Sequence, residues 1–468
     1  MKIYIAGAGA GKTTTMTNKI VELREKIDDY KIIFCLTFTN SAAKCIESRL
    51  NKYYGHIPNN IRVSTIHSFL YREIIKPYFF LLYGKHYEKI SVATLPSDDA
   101  YKNAKIKRLD ECNILHQTLI PKRSKWVIHK KTKDTKSIRA YRESILNSFS
   151  EYCGAICIDE AQDMDSDMQI IFEKLNEIGV QILIMGDPKQ DLKGHGCLRN
   201  LIQKYGDSVE YLSTCYRCPQ EHLKLSNLLV TYDEQQVSNK INGTIIIHFE
   251  TDIQCNVLIK ESSYDLMYIS KKQKRFDTHK RKDKEIITDL SEEIEFVMKH
   301  YHQDLSELHF KKACYYCAEK FIKNYLDTND RKLAFNKTFK KTKISDKEYG
   351  ILLNALPDNN LTLRNDNVIV NSIESIKGQE GRNCLFILTT DLAAYLFGDK
   401  SEEKTTKNLL YVALTRSMDK LTIFITNEVE KKYSRDAIIK FFNIHCQIVN
   451  PINKLLSKSS NQKLYAMI

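Results

Sequence analysis

Residues 2–13 constrain the fold more than any other stretch of the chain. The apolar run Ile3-Tyr4-Ile5 enters Ala6-Gly7-Ala8-Gly9-Ala10-Gly11-Lys12-Thr13, and a helix-like segment follows. Strand, glycine-rich loop and helix in that order make a phosphate-binding loop. The glycines let successive backbone N–H groups converge on phosphate oxygens, and the helix N-terminus adds positive potential. In such a loop Lys12 reaches the terminal phosphates and the Thr13 hydroxyl is placed to ligate magnesium. A loop that starts at residue 6 leaves room for one strand before it.

Further apolar runs at Lys31–Phe38, Ala155–Ile158 and Gln181–Met185 alternate with helix-like segments, the α/β pattern of a parallel sheet. Several end directly in polar residues, as expected when a ligand sits at the carboxyl edge of the strands. A second set, at Gly243–Phe249, Leu266–Ser270, Asn367–Asn371, Cys384–Leu388 and Lys420–Thr426, describes a second α/β unit. Between them lie a Tyr-rich and then basic stretch, which includes Lys122 to Lys131, and a second interruption with helical signals at Ser291–His302 and Phe310–Tyr325.

With 468 residues the chain can bury several cores, and its formal net charge of +13 favours a polyanionic partner. No apolar run approaches the roughly 18 residues of a membrane span, so a soluble, intracellular protein without membrane partners is expected, in cytoplasm or nucleus alike. Thirteen cysteines without framework spacing fit reduced thiols. Cys215/Cys218 and Cys314/Cys317 have metal-like spacing, yet no third motif accompanies them, and ordinary packing is the expectation.

Ile156-Cys157-Ile158-Asp159-Glu160-Ala161-Gln162-Asp163 supplies the partner the phosphate loop needs. One carboxylate, Asp159, can position magnesium, and a second, Glu160, can take the proton of an attacking water. Five further segments stand in order along the chain: Thr37-Phe38-Thr39-Asn40-Ser41-Ala42-Ala43, Ser64-Thr65-Ile66-His67-Ser68-Phe69, Gly186-Asp187-Pro188-Lys189-Gln190, Cys215-Tyr216-Arg217 and Lys377-Gly378-Gln379-Glu380. Tyr411-Val412-Ala413-Leu414-Thr415-Arg416-Ser417 closes the series. This series resembles superfamily 1 helicases of the UvrD/Rep/PcrA branch, and it spans both α/β units from residue 6 to about residue 423.

The resemblance implies two RecA-like parallel-sheet P-loop domains with inserted, mainly helical accessory subdomains. It places the first RecA-like domain at 1–70 and 141–210, an insertion at 71–140, and the second domain at 211–270 and 367–449. A reduced insertion would occupy 271–366 and a basic tail 450–468. ATP and Mg2+ would bind between the domains. Residues Ala6 to Thr13 would hold the phosphates, Thr13 and Asp159 the metal, and Glu160 would activate water. Gln190 would contact the γ-phosphate, Arg217 and Arg416 would stabilise the transferred phosphoryl group, Tyr216 would stack on the base and Glu380 would approach the ribose. Phe38, Asn40, Thr65 and His67 would line a nucleic-acid groove on the first sheet, with Glu374 and Ser375 on the second.

The implied activity is ATP-dependent 3′→5′ movement on single-stranded DNA or at single/double-strand junctions, with replication or repair proteins as further partners. An RNA-directed or DNA-end-processing translocase and a non-enzymatic nucleic-acid-binding protein remain open as alternatives. The chain departs from the family pattern in four ways. It lacks the upstream glutamine that reads adenine, and Thr14 replaces a usual arginine. His195 and Gly196 stand where a Trp-Arg pair is usual, and Glu374 where a histidine is common.

Overall fold

The computed structural model describes residues 1–96, 98–271, 273, 275–278, 283–299, 301, 306–339, 344–356, 368–446 and 448–449. The chain divides into two compact units, one of residues 1–88, 117–278 and 370–468, the other of residues 89–116 and 279–369. The expected tail at 450–468 lies outside the described residues.

The first unit holds two six-stranded sheets. The first is built from β1 (Lys2–Ala6), β2 (Ile32–Thr37), β3 (Ile61–Thr65), β4 (Cys153–Ile158), β5 (Gln181–Gly186) and β6 (Val209–Leu212), in spatial order β3-β2-β4-β5-β1-β6. All its pairings are parallel, with Ile3 opposite Ile184 and Phe34 opposite Ile156. The central strands read as continuous apolar runs because helices cover both faces, leaving no solvated side that would call for alternation. On one face Met16, Ile20 and Leu23 from helix Lys12–Arg24 and Ile46 and Leu50 from helix Asn40–Tyr54 pack on Tyr4, Ile33, Cys35, Cys157 and Met185.

The second sheet comprises β7 (Thr244–Phe249), β8 (Leu266–Ile269), β9 (Asn371–Ser372), β10 (Gly381–Leu388), β11 (Ser417–Ile425) and β12 (Ile448–Val449), ordered β9-β8-β10-β11-β7-β12 and again parallel. Its core gathers Tyr268, Phe386, Ile423, Leu410, Tyr411 and Phe442. Ala8, from the phosphate loop after β1, belongs to this same core. The mixed α/β fold with paired parallel sheets is therefore the one expected. Among the described residues, no helix is long and apolar enough to cross a membrane.

The second unit combines a two-stranded parallel ribbon, Lys89–Ser91 with Ile114–His116, and helices that include Asp99–Glu111, Asp283–Met298, Glu307–Thr328 and Asp346–Ala355. Leu290, Ile294, Phe310, Phe321, Phe335 and Leu352 form its core. Glu293 accepts from Arg108 at 2.9 Å and pairs with Lys105, and the Arg108 guanidinium lies 3.7 Å from the centre of the Phe296 ring. These contacts join residues 89–116 to the later insertion. The segment expected as one insertion at 71–140 is thus divided. Its flanks stay in the first unit, where Phe79 and Tyr83 pack against Trp126.

Candidate nucleotide and nucleic-acid site

The phosphate loop leaves β1 at Ala6 and becomes helix Lys12–Arg24 after Gly11, whose φ of 75° occupies the left-handed region. No side chain caps this helix, so its first-turn N–H groups remain available to an anion. Lys12 Nζ donates to the carbonyls of Ala6 and Gly7, both at 3.3 Å, which folds the lysine over the loop.

Asp159 and Glu160 follow β4, which lies near β1 in the sheet, so chain topology alone delivers the carboxylates to the loop. Asp159 is 1% exposed and accepts from the Glu160 N–H at 2.9 Å. Burial, with Glu160 beside it, pushes the Asp159 carboxyl up to about 7. Burial alone would raise Glu160 too, but Lys12, the Gln162 amide and Lys377 outweigh it and hold Glu160 below the ordinary range. Glu160 itself sits at φ 56°, a backbone region unusual for a side-chain-bearing residue, and its carboxylate accepts from Gln162 Nε2. The Gln162 carbonyl oxygen accepts from the Asp187 N–H at 2.9 Å, and Asp187 accepts from Gln190 Nε2 at 2.8 Å. Gln190 is thereby fixed to the carboxylate pair through one buried polar chain.

The second sheet reaches the loop through residues far apart in sequence. The Ala8 N–H donates to the Tyr411 hydroxyl at 3.1 Å, and that hydroxyl donates to Gln236 Oε1 at 2.9 Å. Gln236 Nε2 in turn donates to the Ala8 carbonyl at 3.2 Å, closing a ring around one loop residue. The Tyr216 N–H donates to the Gly9 carbonyl at 2.9 Å, and Cys215 Sγ lies 3.2 Å from the Ala8 carbonyl. Two glycines are required by this approach. A Cβ on Gly7 would stand 2.3 Å from the Gln236 side chain, and one on Gly9, at φ 70°, would stand 2.4 Å from Arg217 Cβ.

Arg217 lies against the loop at Gly9, and its guanidinium pairs with Glu380 at 2.5 Å. Arg416 is wholly buried in the second sheet's domain, donating to the carbonyls of Val412 at 3.0 Å and Gln379 at 3.1 Å. Burial and the nearby Arg217 lower its pKa from the usual arginine value. Tyr216 is 68% exposed. Lys377 crosses to Asp163 at 2.7 Å, and Lys189 is buried between Asp187, at 3.1 Å, and Glu234, at 3.4 Å. Sequence alone indicates no role for Gln236, Tyr411, Lys377, Lys189 and Glu234. Of these, Gln236 and Glu234 stand outside the motif series altogether.

The residues expected to line a groove fall at strand ends of both sheets. Thr37 and Thr65 are register partners at the ends of β2 and β3, which puts half-buried Phe38 and exposed Asn40 beside half-buried Thr65 and His67. Burial, with Lys193 adding to it, holds His67 below the usual histidine range, so the loop carrying exposed His195 lies close by. That loop is wrapped on Asp191, which accepts from the Gly194 and Gly196 N–H groups, each at 2.8 Å. Glu374 and Ser375 are exposed in the turn after β9.

Among the described residues, no group of three or more His, Cys, Asp or Glu is arranged to hold a metal ion. The Thr13 hydroxyl bonds to the Asp159 carboxylate, giving a hard oxygen pair beside a crowded acid. Such a donor set suits Mg2+ retaining several waters.

A glycine loop at a helix N-terminus, two strand-end carboxylates and residues from a second parallel sheet define a P-loop fold with paired RecA-like domains. A family profile described as an AAA domain matches residues 1–194. The Gabija protein GajB of Bacillus cereus (strain VD045) is 30% identical over 271 residues, covering 55% of this chain and 52% of that protein. A probable DNA helicase II homolog of Mycoplasma genitalium is 23% identical over 300 residues, covering 52% of this chain and 42% of its own. The ATP-dependent DNA helicase Rep of Buchnera aphidicola is 44% identical over 82 residues, 17% of this chain and 12% of that one. The chain thus spans about half or less of the length of these curated relatives. Over these spans the chain is similar to helicases of the UvrD/Rep/PcrA-like branch of superfamily 1.

Proposed function

We propose that the protein is an ATP-driven motor on single-stranded DNA that moves 3′→5′ and acts at single/double-strand junctions. The observation that carries this reading is the closed ring Ala8–Tyr411–Gln236, which ties the phosphate loop of the first sheet to the second. A hydrolytic site built from both domains makes turnover depend on their approach, so each cycle can move one domain against the other.

In this reading the open N–H groups of the first helical turn and Lys12 hold the β- and γ-phosphates. Thr13 and Asp159 hold magnesium, which when bound offsets phosphate charge. Glu160, kept ionised by Lys12, Gln162 and Lys377, takes the proton of the attacking water. Gln190, tethered to Asp187, senses the γ-phosphate. Arg217 exchanges its bond to Glu380 for the transferred phosphoryl group, with Arg416 supporting the helix end behind it. Tyr216 stacks on the base and the released Glu380 approaches the ribose. Along the groove, Phe38 and His195 offer faces to bases while Asn40, Thr65, His67 and Ser375 meet the backbone, the combination single-strand binding needs. Glu374 limits phosphate approach on its side.

Strand displacement on duplexes with 3′ or 5′ single-stranded tails tests this reading. Unwinding from a 3′ tail only, with ATP required, is expected. Unwinding from a 5′ tail, or ATP turnover that RNA stimulates and DNA does not, would overturn it.

A further inference from the structure

The loop joining helices Ile120–Ile128 and Lys136–Tyr152 carries His129, Lys130, Lys131 and Lys133 over a cavity of about 900 Å³. Lys174 and Ile170, from helix Ser166–Glu177, line it as well. The loop is pinned at its base. Asp134 accepts from the Lys131 N–H at 2.8 Å and from Arg142 at 2.5 Å, and Arg142 also donates to the Trp126 and Val127 carbonyls at 3.0 and 3.1 Å. The Asp134 and Arg142 side chains are 5% and 7% exposed, so this carboxylate is committed internally and offers the lysines no countercharge.

Among the described residues, Lys130 and Lys133 have no ion-pair partner, and both are exposed. His129, at the cavity wall, is held below the ordinary histidine range by burial and then by Lys130 and Lys174, against the opposing charge of Glu177, which pairs with Lys174 at 3.0 Å. Glu143 is the one further carboxylate among the lining residues beside Asp134, and cations outnumber both. Trp126 lines the same cavity, but its ring is already covered. The Arg123 guanidinium lies 4.2 Å and the Lys131 ammonium 4.6 Å from its centre. Single-strand binding relies on open aromatic faces, and the Trp126 ring is already engaged by two cations. The volume instead falls within the range of small-molecule pockets, roughly 300–1,000 Å³.

We infer that this cavity is a second anion site, distinct from the phosphate loop, which takes a small soluble ligand bearing clustered phosphates. Inorganic polyphosphate and the phosphate arm of a free nucleotide share that chemistry. The cations meet the phosphate oxygens, and displacement of Lys131 from the indole reports the event.

Trp126 is the only tryptophan in the chain, so its emission reads this cavity alone. The test titrates inorganic tripolyphosphate, ATP, single-stranded DNA and duplex DNA into the Lys12→Ala protein, where the hydrolytic site is weakened, and follows that emission. A saturable change with tripolyphosphate is expected, weakened roughly tenfold, about 1.4 kcal/mol, by the paired reversal Lys130→Glu and Lys133→Glu. Tighter binding of ATP than of tripolyphosphate identifies a nucleotide source, and the reverse identifies inorganic polyphosphate. The paired reversal made with Lys12 intact should retain basal hydrolysis, which shows that it folds. No response to either phosphate ligand, a response indifferent to the reversal, or a response to DNA at lower concentration than to tripolyphosphate would overturn the inference.

Discussion

Ala8 and Tyr411 are 403 residues apart in sequence and share a buried 3.1 Å hydrogen bond, from the amide of the phosphate loop to a phenol of the second sheet's domain. The Gln236 carboxamide bonds to both of them, so the loop's conformation and the seating of the second domain are coupled through three groups.

Tyr411→Phe leaves the Ala8 N–H and the Gln236 oxygen without their buried partner, a cost of about 1–3 kcal/mol. The unfolding midpoint should fall by about 2–4 °C per kcal/mol lost. ATP turnover should fall with it. An unchanged midpoint in thermal unfolding would show that the bond does not persist in solution.

Gly7→Ala places a methyl where the Gln236 carboxamide now lies, 2.3 Å from the new carbon. Overpacking of this kind costs about 1–3 kcal/mol. Gln236→Ala in the same chain removes the clash, so a double-mutant cycle should give a favourable coupling of about 0.5–3 kcal/mol. Strict additivity would mean that the two residues are not in contact.

The two arginines should separate by phenotype. Arg217 is partly accessible and held by one carboxylate, so Arg217→Ala should leave the unfolding midpoint nearly unchanged. Its hydrolysis rate should drop by about 10³–10⁵, the range for an arginine finger. Arg416 is fully buried on backbone carbonyls, so Arg416→Ala should lower the unfolding midpoint as well as the rate. Equal midpoints for the two variants would contradict the placement of Arg416.

His222 is fully buried, with Nε2 3.3 Å from the Thr244 carbonyl, and burial holds its pKa below the ordinary histidine value. The unfolded chain therefore binds a proton at this site before the folded one does. Stability present above about pH 6.5, the unfolded pKa, should decline as pH falls through that value toward the lower folded one. Urea unfolding between pH 7.5 and pH 5.5 measures this, and His222→Gln should flatten the slope. A steeper slope in the variant would give the opposite sign.

Legibility from sequence followed how local the determining physics is. β1, β4, β5 and the Cys384–Leu388 part of β10 are readable because their buried cores are unbroken apolar runs, and Lys12, Asp159 and Glu160 because loop and strand-end residues lie adjacent in the chain. β3 carries exposed Arg62 within a five-residue span, and β6 exposes Glu210 and Tyr211 at the sheet edge, so neither reads as an apolar run. Gln236 had no local signal. It sits in the polar stretch Gln235-Gln236-Val237-Ser238 and is buried because Asn227 holds its backbone, at 2.8 and 3.0 Å, and points its side chain toward Ala8. The division of residues 71–140 likewise arose from contacts at long range, with Arg108 and Lys105 paired to Glu293.

The most direct test of a single hydrolytic site shared by two domains is steady-state ATP hydrolysis with and without single-stranded DNA, in the wild type, Lys12→Ala and Arg217→Ala. The account predicts DNA-stimulated turnover in the wild type and its loss in both variants, one from each domain. Turnover that ignores DNA, or that survives Arg217→Ala undiminished, would contradict it.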